Sequence, residues 1–181
     1  VIFNLVDIAL GASVQSPLWY IRQFVFTTNG SPLWFLSALI WGTLIVFLLS
    51  SFLNKYAVFG ISCVFLVLGY MLTTLLNVTG EWGFISFINQ YITPVIGTQN
   101  GLYFAFPYVA LGALMSAQTV KKEHKKNSLL AVLFFVLLGA ESVTAVVILK
   151  APLTFIWLSA LPMTYFIMRL TLSIETKSSA A

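Results

Sequence analysis

Residues 129–149 read LLAVLFFVLLGAESVTAVVIL, from Leu129 to Leu149, with a single ionisable side chain, Glu141. A bilayer hydrocarbon core of about 30 Å is crossed by roughly 20 helical residues, so this run has spanning length. Water cannot satisfy backbone groups inside lipid, and a run of this kind is therefore read as a helix. Four further apolar runs flank it: Leu33 to Leu53, Ala57 to Leu76, Leu102 to Ala117 and Leu153 to Ile174. All but Leu102 to Ala117 approach bilayer length. The expected fold class is all-α, a polytopic transmembrane helical bundle with about five complete spans. Val1 to about Leu10 reads as the end of a truncated preceding span. The chain begins in apolar sequence with no basic segment before it, which is unlike a signal peptide. One transmembrane domain over residues 1–181, forming the C-terminal half of a larger domain, is the expected organisation.

Composition supports a membrane protein. Hydrophobic residues make up 60% of the chain and charged residues only 8%, against about 25% charged in soluble domains. The cations follow the loops. Lys55, Lys121, Lys122, Lys125, Lys126, Arg169 and Lys177 fall on one set, and only Arg22 and Lys150 on the other. The positive-inside rule then predicts an integral, multi-pass membrane protein with a cytoplasmic C-terminus. The cluster from Lys121 to Lys126 is short and lies between two membrane runs, so it reads as topogenic and compatible with anionic headgroups. No fold-level signal points to nucleic acid. The lone Cys63 can form neither an internal disulfide nor a zinc site and reads as a packing residue.

Candidate functional residues are few. Arg22 sits among Trp19, Tyr20, Phe24 and Phe26 in a short expected helix, Pro17 to Thr27; it is either an interfacial cation or a ligand contact. The link from Val78 to Gly101 carries Trp82, Phe84, Phe87 and Tyr91 and is too apolar for a solvated loop; a re-entrant or interfacial segment is expected. Pro107 interrupts the third run. Asn100 precedes that run, either capping it or offering an anion or oxyanion site. Gly112, Ala113, Ser116 and Ala117 favour close helix packing. Glu141 is the one acid inside a span. Placing a charge there costs on the order of 3 kcal/mol, so it faces the bundle interior. It is either functional or a protonated carboxyl hydrogen-bonded to a neighbouring helix. Arg169 reads as a snorkelling cation, and His124 is the sole histidine. No metal-spaced cluster, phosphate-binding glycine loop or nucleophile elbow is present, so no metal and no bound cofactor are expected.

Two stretches resemble a known family. Gly30-Ser31-Pro32-Leu33-Trp34-Phe35-Leu36-Ser37-Ala38-Leu39-Ile40 resembles a helix start of the membrane-bound acyltransferase family 3. Thr98-Gln99-Asn100-Gly101-Leu102-Tyr103-Phe104-Ala105-Phe106-Pro107-Tyr108-Val109-Ala110-Leu111-Gly112 looks like a second segment of that family. Glu141, Pro152 and Pro162 follow in the expected order. The resemblance implies a bacterial enzyme of the cytoplasmic membrane that O-acylates surface glycans, with acyl-CoA, commonly acetyl-CoA, as donor substrate. A glycan or lipid-linked hydroxyl would be the acceptor, and membrane lipids the surroundings. It places the reactive Arg and His in helices upstream of this chain, leaving Arg22, Trp34, Asn100 and Glu141 as candidate cavity or substrate contacts. Trp34 and Asn100 match family motif positions, whereas Gln99 stands where the family usually has a basic residue. The alternatives are a proton-coupled transporter or flippase-like permease, and a non-catalytic membrane scaffold or sensor.

Overall fold

Asn54 sets the first helix boundary. Its extended backbone and its side chain, which accepts the Ala57 N–H at 2.8 Å, cap the helix that follows. In the computed structural model, which describes residues 34–79, 82–93, 101–116, 123–149 and 156–178, α1 is Trp34–Ser50 and α2 is Lys55–Thr73. A one-turn α3, Leu76–Thr79, follows. α4 is Gly83–Phe87 and continues as a π-helical turn, Ile88–Ile92. α5, Phe106–Met115, is entered through another π-helical turn, Gly101–Ala105. α6, His124–Val143, is extended by a third, Thr144–Ile148, and α7 is Ala160–Ser178. The described residues contain no strand. The segments Val1–Leu10 and Pro17–Thr27 lie outside the described residues, as do Arg22, Asn100 and Lys150.

Five complete spans do not emerge. Among the described residues, two helices are long and apolar enough to cross a membrane: Lys55–Thr73, with 19 residues, and His124–Ile148, with 25. At 1.5 Å per residue they reach about 28 and 37 Å. The run Leu33 to Leu53 yields only the 17 residues of α1, because residues 51–53 turn toward the Asn54 cap. The run Leu153 to Ile174 is not one helix either: residues 156–159 are non-helical, and α7 starts at Ala160.

α5 lies at the centre of the packing. Phe106 and Ala110 join Val46 of α1 and Val58 of α2 in one apolar cluster. Tyr103, Leu111 and Met115 join Leu66 and Leu72 of α2, Ile85 and Ile88 of the α4 segment, and Ile156 and Leu161 in a second. The buried stripe of α2, Val58, Ser62, Leu66, Gly69 and Leu72, follows helical spacing. Cys63 packs at its margin, as a small apolar side chain. Pro107 does not kink the middle of a span. It occupies the first turn of α5, where the preceding π turn has already displaced the ladder and a missing N–H is tolerated.

The expected interfacial link is helical where described. Ile85 and Ile88 pack into the core while Trp82, Phe84, Phe87 and Tyr91 stay exposed. α6 carries exposed apolar residues around most of its circumference, among them Leu129, Val132, Phe135, Val136 and Val147. It packs on α7, where Phe134 stacks on Phe166 with centroids 5.7 Å apart. An apolar face of this extent suits lipid rather than water.

The tightest crossing is between α1 and the start of α5. A Cβ built on Gly101 would collide with Trp41 Cβ and meet the Ala38 carbonyl oxygen at 2.7 Å; one on Gly42 would meet Ala105 Cβ at 2.9 Å. Ala38 and Gly42, and Gly101 and Ala105, are small residues four apart on facing helices, a spacing that lets backbones touch. The expectation of close packing at Gly112 is corrected: a Cβ there meets open space. Gly101→Ala is therefore expected to lower stability by about 1–3 kcal/mol through overpacking. Gly112→Ala should be neutral or stabilising by up to about 1 kcal/mol. Thermal unfolding of both variants in the same detergent measures the contrast.

Candidate functional site

Ser159-Ala160-Leu161-Pro162 is a helix-start sequence embedded in an apolar run. Serine is a preferred N-cap and proline is tolerated in the first turn. The Met163 N–H bonds the Ser159 carbonyl at 3.2 Å, which starts the α7 ladder. Starting a helix there exposes backbone N–H groups that water cannot reach in an apolar setting. Glu141, in the last turn of α6, meets them. Its Oε1 accepts the Leu158 N–H at 2.8 Å, and its Oε2 accepts the Ser159 N–H at 3.0 Å and also the Ser159 hydroxyl. The carboxylate of one helix thus caps another, at the end where the helix dipole favours negative charge.

The same break is held from the other side. Thr74, fully buried at the end of α2, donates its hydroxyl to the Ile156 carbonyl at 3.3 Å. Gly69 leaves room for Ile156, whose Cδ1 would lie 3.0 Å from a Cβ at that position, and for Tyr103. Tyr70 of α2 and Tyr108 of α5 lie within electrostatic range of Glu141. Residues from α2, α5 and α6 therefore converge on residues 156–159. Both oxygens of Glu141 serve as acceptors in a structural role. These partners lead directly into α7, so Glu141 links α6 to the start of the neighbouring helix.

Of the other sequence candidates, Trp34 (by its backbone), Arg169 and His124 fall among the described residues. Trp34 opens α1, and its side chain lies outside the described residues, as do Arg22 and Asn100 altogether. α1 packs chiefly on the Gly101–Ala105 turn and α5, whereas α6 packs on α7. Arg169 donates to the Tyr165 hydroxyl at 3.1 Å and sits 5.7 Å from that ring's centroid. His124 pairs with Ser173 across the α6–α7 interface at 3.1 Å. Among the described residues no group of three or more His, Cys, Asp or Glu side chains could hold a metal. Sequence reasoning missed Tyr70, Thr74 and Ser159. Only Ser159 carried a local signal, its spacing from Pro162.

Removing the cap leaves two part-buried N–H groups unmet, at up to about 1–3 kcal/mol each. Glu141→Ala is accordingly expected to lower stability by about 2–5 kcal/mol. Ser159→Ala should cost about 1 kcal/mol, as for the loss of an ordinary N-cap side chain. Because the two share one carboxylate, the double variant should lose less than the sum. Thermal unfolding across this double-mutant cycle reads the coupling.

No protein-family model matches the sequence, and neither the curated proteins nor the solved structures compared with it give a match.

Proposed function

We propose that this chain forms the membrane-embedded wall of an integral membrane acyltransferase. The enzyme would move an acyl group from an acyl-CoA donor to a hydroxyl of a surface glycan or related acceptor. The observation that carries this reading is the meeting of the two stretches that resemble the acyltransferase family. They begin 68 positions apart in the chain, at Gly30 and Thr98, yet α1 and the Gly101–Ala105 turn make a close backbone crossing, and Phe35 sets its ring edge-on to Phe104 at 6.5 Å. Asn100 immediately precedes Gly101 in sequence, and Trp34 immediately precedes Phe35. In this reading the general base comes from the Arg and His of upstream helices. Asn100 and Arg22 then donate hydrogen bonds to the oxyanion that forms as the acceptor hydroxyl attacks the thioester carbonyl. The thiolate of CoA leaves, and the base returns its proton. The accompanying topology is a multi-pass bundle of about five spans with the C-terminus in the cytoplasm.

A proton-coupled permease is disfavoured by Glu141, whose two oxygens are occupied by backbone donors instead of facing a transport path. A scaffold or sensor is the second reading, favoured by that same structural role. Binding of labelled acyl-CoA to the full-length protein separates it from the enzyme. In an acyl-transfer assay on full-length protein, Asn100→Ala and Arg22→Ala should each lower kcat by about 100-fold, the scale of removing an oxyanion donor. Wild-type rates in both would remove these residues from the mechanism.

A further inference from the structure

The lysine-bearing end of α6 carries polar capacity that the described residues leave unmet. His124 Nδ1 and Ser173 Oγ are 3.1 Å apart, while that hydroxyl donates to the Leu170 carbonyl at 2.7 Å. A hydroxyl has one proton, so Nδ1–H is the donor of the pair and Oγ accepts it. His124 Nε2 is then without a partner. The Asn127 amide nitrogen is also unpartnered, on a residue only 1% exposed. His124 also lines an open groove of about 530 Å³ between α6 and α7. The lining is graded along α6. His124, Lys125 and Ser128 form one end, and Leu129 and Val132, with Leu170 of α7, form the other. From His124 to Val132 the helix rises about 12 Å.

We propose that this groove binds one anionic glycerophospholipid. The headgroup phosphate is held by Lys125 and Ser128 at the N-terminal end of α6, where the dipole also favours an anion. An acyl chain lies along Leu129, Val132 and Leu170. A lipid, not a soluble phosphate, is the occupant because the apolar end of the groove runs into the exposed apolar face of a helix long enough to cross a membrane. Basic pockets between membrane helices are suited to anionic headgroups. Lys126 supplies an internal comparison. It carries the same charge one residue away, but pairs with Glu123 at 3.7 Å and does not line the groove.

The test is lipid retention by the full chain in detergent, measured by native mass spectrometry against phosphatidylglycerol, phosphatidylcholine and inorganic phosphate. The expected result is preferential retention of phosphatidylglycerol. Lys125→Gln should weaken it about fivefold, the scale of one cation at a headgroup, and Val132→Trp, which fills the apolar end, should weaken it too. Lys126→Gln should leave it unchanged. All three positions are exposed, so the fold should tolerate the changes. Equal losses from Lys125→Gln and Lys126→Gln would show diffuse charge and overturn the proposal. So would equal retention of the two lipids, or inorganic phosphate displacing phosphatidylglycerol with Val132→Trp having no effect.

Discussion

The carboxylate of Glu141 at the break before α7 is the interaction on which the arrangement rests. A chain interrupted in apolar surroundings exposes backbone groups that must be met by protein. Here the N–H groups of Leu158 and Ser159 go to Glu141, and the carbonyl of Ile156 goes to Thr74. Donors and acceptors on both sides of the break are thus tied to different helices. That tie fixes where α7 begins and binds it to α6 and α2 together. It also explains why an acid is placed inside an otherwise apolar run. The charge is matched by aimed N–H dipoles, which offset part of the desolvation that would otherwise exclude it.

A second constraint shapes the opposite part of the bundle. Apolar side chains gain little by leaving lipid for one another, so close association inside a membrane depends on surfaces that fit. The pairs Ala38/Gly42 and Gly101/Ala105 supply such a surface, and the π turn Gly101–Ala105 delivers Pro107 to the one part of α5 that accommodates it. Tyr103, in that turn, packs into the space left by Gly69 of α2. α5 therefore joins the α1 crossing to the cluster that holds Ile156. Glu141 supports this joined unit from α6.

Much of the helical content was legible because long apolar runs dictate helices. Asn54 was legible as a turn next to Lys55. What could not be read was where runs stop being one helix. Leu153 to Ile174 is mostly apolar up to Arg169, and only Ser159 with Pro162 hints that a helix begins inside it. Glu141 stood out in the sequence, but its hydrogen bonds depend on Leu158 and Ser159, whose backbone groups no sequence pattern displays. Small residues were equally ambiguous. Gly112 and Gly101 look alike in sequence, yet one faces open space and the other a backbone. The buried Thr74 leaves no mark at all, since its partner is a carbonyl 82 positions away.

The most direct measurement is amide hydrogen exchange at Leu158 and Ser159 in the full chain, comparing the native sequence with Glu141→Gln and Glu141→Ala. The account predicts that both amides are strongly protected in the native protein, partly protected in Glu141→Gln, and fast-exchanging in Glu141→Ala, with amides in the middle of α2 unchanged. Protection at Leu158 and Ser159 that survives Glu141→Ala would contradict it, because the break would then be held by something other than the carboxylate.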